Sequence, residues 1–455
     1  MEIPKTNENG NTPKLKRVLG LWAVVFYGIV LIQPIAAVGL FGIASRTSKG
    51  HMVLTLLIAL VAMSLTAVSY GRMASLYPSA GSAYTYVSKG LNKNLGFMAG
   101  WSMFLDYLVV PVINTIYASI TLQRLFPEVP YEVWVILIVI AITLLNLRGI
   151  RTTDKSNKIL LAVMTLVISA FIFLAIKYIL LNTGWSGLVS TKPIYNSETF
   201  NLGAVMTATS FAVLTYIGFD GVTTLAEDVK NPKRNMLWAP VLVCLFTGVF
   251  SVIQIYLAQQ VWPDYTTFPN IETAFFDVAR RVGGDVLFNA IAVILLIACF
   301  GSGLAGQVGA ARLLFGMGRD GVLPKKIFSH LDKKSNTPVY NIIIMGILTV
   351  ILSFFFSYQG AAELLNFGAF LAFMGVNLAA FNQFFFLRKK QEKRNFVFDA
   401  VLPLLGFLIC LVIWLNLPSD AKIMGGIWFV IGLVYLIFRK RFLKNNSAEM
   451  DFTDI

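Results

Sequence analysis

The stretch Thr215-Tyr216-Ile217-Gly218-Phe219-Asp220-Gly221 sets a carboxylate between glycines in the middle of an apolar run over residues 203–229. A bilayer crossing needs about 20 apolar residues, and an acidic side chain inside one is costly and marks function. The flanking glycines let the backbone leave the helix there. A second interruption lies near the start of the chain, in Tyr27-Gly28-Ile29-Val30-Leu31-Ile32-Gln33-Pro34-Ile35. Pro34 removes an N–H and crowds the preceding turn, and Gln33 sets a polar amide at the same depth. Ile32, Pro34 and Gly221 therefore mark helix breaks, and Gln33, Gly218 and Asp220 offer polar groups beside them.

Working outward, twelve apolar stretches cover approximately 20–45, 51–70, 95–122, 131–148, 157–181, 203–229, 236–261, 285–316, 338–357, 361–388, 397–416 and 421–442. The two breaks fall in the first and the sixth. That offset is what two inverted repeats of five helices would give, with two helices appended. The expected fold is an all-α polytopic membrane protein with 12 transmembrane helices. Residues 1–19 form an N-terminal tail, 20–442 one transporter domain, and 443–455 a C-terminal tail. Repeat one covers 20–181, repeat two 203–388, and the last two helices 397–442.

Composition agrees: 57% of the 455 residues are hydrophobic and only 13% are charged. The basic residues are unevenly placed. The N-terminal tail, every second loop and the C-terminal tail hold 29 of the 37 Lys and Arg, including Lys325, Lys326, Arg388, Lys389 and Arg439. This bias predicts a multi-pass protein with both termini in the cytoplasm. The net charge of +14 is that bias summed over the chain, and it calls for no nucleic-acid partner. Cys244, Cys299 and Cys410 have no paired spacing, and His51 and His330 stand at different helix ends, so no disulfide frame, metal site or cofactor is expected. No Walker-type glycine loop is present, and no extramembrane segment is long enough for a soluble catalytic domain, so neither an enzyme nor an ATP-driven pump is expected.

Asp106, in Trp101-Ser102-Met103-Phe104-Leu105-Asp106-Tyr107, falls near mid-membrane, and Asp220 lies at the sixth-helix break. Glu227 and Asp228 follow one to two turns further toward the cytoplasm. No Lys or Arg falls at the same depth, so the core is net acidic. An acidic core with Tyr27, Tyr107, Tyr216 and Phe219 nearby suits an organic cation, through charge pairing and cation–π attraction of about 0.5–2 kcal/mol per ring.

The run Gly218-Phe219-Asp220-Gly221-Val222-Thr223-Thr224-Leu225-Ala226-Glu227-Asp228-Val229-Lys230-Asn231-Pro232-Lys233-Arg234 resembles the sixth-helix signature of the amino acid–polyamine–organocation (APC) transporters. So do Pro78-Ser79-Ala80-Gly81-Ser82-Ala83-Tyr84-Thr85-Tyr86 and Gly318-Arg319-Asp320-Gly321-Val322-Leu323-Pro324. The likeness covers nearly the whole chain and implies the LeuT-type five-plus-five fold. Within the superfamily, Gly100-Trp101-Ser102, Leu105-Asp106-Tyr107-Leu108 and Asn366-Phe367-Gly368-Ala369 look most like the bacterial putrescine importer branch.

Two departures bear on the substrate. Amino acid members usually carry Gly-Ser-Gly at the first break, where this chain has Ile32-Gln33-Pro34, and proline has no N–H for a carboxylate. Met164 stands where some members place a lysine. The resemblance implies a secondary transporter of the bacterial cytoplasmic membrane. It would import putrescine or a similar small cation, driven by protons, with an amino acid permease or exchanger as the alternative. Gln33, Asp106, Tyr107, Tyr216, Gly218 and Asp220 are the expected substrate contacts and Glu227 the expected proton carrier. The lipid bilayer is the surrounding partner, and no oligomeric state follows from the sequence.

Overall fold

The computed structural model describes residues 17, 19–79, 81–148, 154–226, 228–319, 323–332, 337–387 and 395–442. Among them no named β-strand occurs. Sixteen α-helices follow in order: α1 (Leu21–Ile32), α2 (Phe41–Thr47), α3 (Met52–Leu76), α4 (Ser82–Gly90), α5 (Lys93–Leu125), α6 (Tyr131–Leu147), α7 (Asp154–Asn182), α8 (Gly184–Leu188), α9 (Leu202–Ala212), α10 (Pro232–Val261), α11 (Ala274–Arg319), α12 (Lys325–Phe328), α13 (Val339–Phe355), α14 (Tyr358–Phe381), α15 (Leu402–Leu415) and α16 (Ser419–Phe442). Short 3₁₀ turns at Val213–Tyr216 and Gly221–Leu225 continue α9.

Nine helical stretches among the described residues are long and apolar enough to cross a membrane, and three further apolar helices, Leu21–Ile32, Tyr131–Leu147 and Val339–Phe355, are shorter. The protein is thus an all-helical, multi-pass membrane protein. Side-chain caps start several helices. The Asn92 side chain accepts from the N–H groups of Asn94 and Leu95 at 3.1 and 2.9 Å, Asn201 from Ala204 at 2.8 Å, and Ser357 from Gly360 at 3.1 Å. Each cap satisfies donors that the first helical turn leaves open.

The structure adds two helical segments to the expected ones. One runs from Ala274 and precedes, within α11, the eighth stretch read as 285–316. Asp277, Arg280 and Arg281 interrupt its apolar character, and the structure accommodates them individually. Asp277 pairs with Arg124 at 2.6 Å, and the Arg281 guanidinium lies 4.1 Å over the Trp262 ring. Gly284, with φ of 65°, is non-helical and separates this segment from the stretch that follows it. The loop after the second stretch contains α4, a short helix whose Ala83, Tyr86 and Val87 are buried. Its length is well under a membrane crossing, so hydropathy alone gives no sign of it.

Small residues bring the helices close. A Cβ at Gly71 of α3 would meet the Leu237 carbonyl of α10 at 2.4 Å, and one at Gly368 of α14 would meet the Ser102 carbonyl of α5 at 2.4 Å. Close backbone approach of this kind is the usual basis of helix packing in membranes. These contacts hold α3 against α10 and α5 against α14, and the broken segments lie among them.

Candidate functional site

Both interruptions are present. Helix α1 stops at Ile32, the chain runs irregularly through a turn, and a helix resumes only at Phe41 after the 3₁₀ turn Val38–Leu40. Gln33 closes α1 with φ of 68° and ψ of 128°, a left-handed value rare for a residue with a side chain. In the second break Ile217 is extended and Gly218 has φ of 120°. Glycine is required at 218 on two counts: the backbone conformation, and a Cβ there would lie 3.1 Å from the Ile32 side chain. The two breaks therefore face each other directly.

Unwound backbone inside a membrane needs other partners for its polar groups. Two side-chain amides supply them, and a third ties the first break to α11. Gln254 Nε2 on α10 donates to the Pro34 carbonyl at 3.0 Å. Asn366 Nδ2 on α14 donates to the Ser210 carbonyl at 2.7 Å, just before α9 gives way to a 3₁₀ turn. Gln33 Nε2 donates to the Ala298 carbonyl of α11 at 3.3 Å.

A cavity of about 330 Å³ opens between the breaks and helices α5, α11 and α14. Gln33, Asp106, Tyr107, Gly218 and Asp220 all line it, together with Ile32 and Gly221 at the breaks. Asp220 is buried, and its Oδ1 accepts from the Gly218 N–H at 3.3 Å. The Oδ1 atom of Asp106 is buried and has no hydrogen-bond partner among the described residues. Two carboxylates thus face a cavity whose lining contains no Lys, Arg or His. An unpaired acceptor of this kind is costly unless a cation or donor occupies the space beside it.

Two of the expected residues lie elsewhere. Tyr216 is absent from the cavity wall: it is fully buried, and its hydroxyl donates to the Leu56 carbonyl of α3 at 2.8 Å. The change from α-helix to 3₁₀ turn aims it at α3 instead. Pro34 turns to the opposite side of the first break, against α7 and α11. Glu227 lies outside the described residues. Tyr27 and Phe219 also leave the wall, Tyr27 to an exposed position and Phe219 into a buried cluster. There Tyr70 meets Tyr86, Phe219 and Phe373 edge-on at 5.9, 5.4 and 5.9 Å.

The rings that do line the cavity are Tyr107, Tyr117 and Tyr358. Tyr117 and Tyr358 lie 4.6 Å apart, and Tyr107 passes over Gly309 of α11. Asn114 adds a polar group held by bonds to the Val110 carbonyl at 2.8 Å and Ser302 Oγ at 3.0 Å. Tyr117 and Asn114 were discoverable. Steps of three or four residues from Asp106 pass Val110, Ile113, Asn114 and Tyr117, which share one helix face.

A sequence profile of the family described as amino acid permease matches residues 19–438. The chain belongs to this family. It is a permease of the APC superfamily and not an enzyme, and membership implies a small-molecule substrate. Among its relatives, the low-affinity putrescine importer PlaP of Escherichia coli K12 is 32% identical over 97% of this chain and 98% of its own length. The branched-chain amino acid permease BcaP of Lactococcus lactis is 24% identical over 88% of this chain and 89% of its own. The methylthioribose transporter of Bacillus subtilis is 26% identical over 94% of this chain and 93% of its own. The permease family thus includes carriers named for cationic, zwitterionic and neutral solutes, and the residues of the cavity must decide among them.

Proposed function

We propose that this permease imports putrescine or a similar small organic cation across a bacterial cytoplasmic membrane, by alternating access and at the expense of the proton gradient. The observation that carries the reading is the pair Asp106 and Asp220 facing a cavity lined by no basic residue. The two carboxylates hold the ammonium ends of a diamine. Tyr107, Tyr117 and Tyr358 flank its alkyl chain and add cation–π attraction of about 0.5–2 kcal/mol each. The 32% identity to a protein named as a putrescine importer supports the same choice.

In this reading the nine long spans and three shorter apolar helices are the twelve crossings of a LeuT-type fold. Helices α1, α3, α9 and α10 rock against α5, α6, α11 and α13, and both termini face the cytoplasm. Glu227 carries the coupling proton. The direct experiment is uptake of labelled putrescine into proteoliposomes with and without an imposed pH gradient, competed by lysine, arginine, alanine and spermidine. Uptake that rises with the gradient and resists alanine fits the proposal; tight binding of alanine with no response to putrescine sinks it.

An amino acid permease is the second reading. It is favoured by one feature, the side-chain amide of Gln33 at the first break, a donor that a substrate carboxylate can share. The alanine competition separates the two.

A further inference from the structure

A second cavity, of about 540 Å³, lies on the other side of the first break. It is bordered by the end of α1, by Leu160, Leu161 and Met164 of α7, and by the 296–305 stretch of α11, and it is open on the side where Leu31 and Ile297 are half-exposed. It shares Leu31, Gln33, Ser302 and Ala305 with the carboxylate-lined cavity, so the two are neighbours. Of the shared residues, Gln33 donates to the Ala298 carbonyl at 3.3 Å and Ser302 accepts from Asn114 at 3.0 Å. The chemistry of the two sides differs sharply. The first holds two carboxylates. The second has no charged residue in its lining, and Gln33 and Ser302 are its only polar side chains.

We infer that this apolar chamber receives the uncharged alkyl tail of an amine whose ammonium group sits at Asp106 and Asp220, making medium-chain alkylamines a second ligand class. The inference rests on the cation reading proposed above. The adjacent carboxylates supply the site for the head group, and the apolar lining supplies that for the tail. A charged end would find no counter-ion in the chamber, whereas a hydrocarbon chain leaves water there for apolar contact. A diamine therefore stays on the carboxylate side, while a monoamine extends past Gln33 into the second space. Gly301 lines that space, and a Cβ added there would meet no atom within 4 Å. The chamber can thus be filled from α11 without disturbing its neighbours.

The test is inhibition of labelled putrescine uptake by n-butylamine, n-pentylamine, n-hexylamine and n-octylamine, using the full chain in proteoliposomes. Potency is expected to rise about fourfold for each methylene until the chamber is full. In Gly301→Leu the same series flattens while putrescine uptake stays within twofold of the unaltered protein. Met164→Phe fills the chamber from α7 and gives the same result if the first variant folds poorly. A flat series in the unaltered protein overturns the inference and leaves the space to bilayer lipid. So does a steep series unchanged in both variants, which would reflect partition of the amines into the membrane. Absence of putrescine uptake before any competitor is added is a different failure, that of the cation reading itself.

Discussion

Arg72, near the end of α3, and Asp399, at the start of the segment leading into α15, form a buried ion pair at 2.5 Å. The same guanidinium bonds the Phe398 carbonyl and lies 3.9 Å over the Phe384 ring, and Asp399 also accepts from the Asn395 N–H at 2.8 Å. The pair ties α3, which packs along α10, to the junction between α14 and α15. Removing one partner of a buried pair typically costs about 3–5 kcal/mol. Arg72→Met is therefore expected to lower the unfolding midpoint in detergent well below that of Arg72→Met combined with Asp399→Leu. Equal loss in the single and double variants would show that the pair contributes through packing alone.

Asp220→Asn should abolish amine uptake while the protein still reaches the membrane. Asp220 lines the cavity, is buried, and is oriented by the Gly218 N–H. Asparagine keeps the shape and the hydrogen bond but removes the charge that pairs with the bound cation, at a cost of several kcal/mol or at least a hundredfold in uptake. Near-normal uptake in a correctly inserted variant would reduce Asp220 to a structural role.

Tyr107 and Tyr216 should behave oppositely. Tyr107 lines the cavity, so Tyr107→Leu is expected to weaken substrate binding more than Tyr107→Phe, which keeps the ring face. Tyr216 bonds Leu56 away from the cavity. Tyr216→Phe should therefore leave the apparent affinity unchanged and lower stability by about 1 kcal/mol. Uptake kinetics and thermal unfolding of the three variants distinguish these outcomes, and a large affinity loss in Tyr216→Phe would return that residue to the site.

Gly218→Ala tests the contact between the breaks. The backbone at φ of 120° resists any side chain, and the added carbon would press on Ile32 at 3.1 Å. Such strain costs about 1–3 kcal/mol. The expected result is lost transport, with partial recovery in Gly218→Ala combined with Ile32→Ala, which relieves the clash but not the backbone. Full activity of the single variant would mean that the break tolerates a different geometry.

Replacing Ile32-Gln33-Pro34 by Gly-Ser-Gly removes the Gln33 bond to Ala298 and frees N–H groups that amino acid members of the superfamily use. Putrescine uptake is expected to fall, and weak binding of neutral amino acids to appear. Uptake of putrescine undiminished in this variant would show that the amide has no part in holding the cation.

How much of this was readable beforehand depends on the kind of signal each residue carries. Asp106, Asp220, Gly218 and Gln33 are chemically out of place in apolar runs, and the structure gathers all four on one cavity. Tyr117 shares the helix face of Asp106, whereas Tyr358 looks like an ordinary membrane-helix residue and precedes the apolar stretch first read for its helix, so only packing reveals it. Tyr216 misleads for a physical reason. Its place beside the break suggested the cavity, but the local 3₁₀ geometry decides which way the ring points. The supporting amides Gln254 and Asn366 are likewise invisible until the carbonyls they satisfy have been located.

At the foot of the two broken helices the chain forms a small parallel bridge. Leu19 N–H donates to the Asp228 carbonyl at 3.0 Å, and the Lys230 N–H donates to the Leu19 carbonyl at 2.8 Å. Leu19 stands two residues before α1, and Val229 lies just past the last turn that continues α9. The bridge makes exposed Arg17 a handle on both segments at once. A spin label or fluorophore at that position, paired with one on the α5 side, would report their joint displacement during a transport cycle as a single change in distance. A label beyond Lys230 should trace the same movement in step.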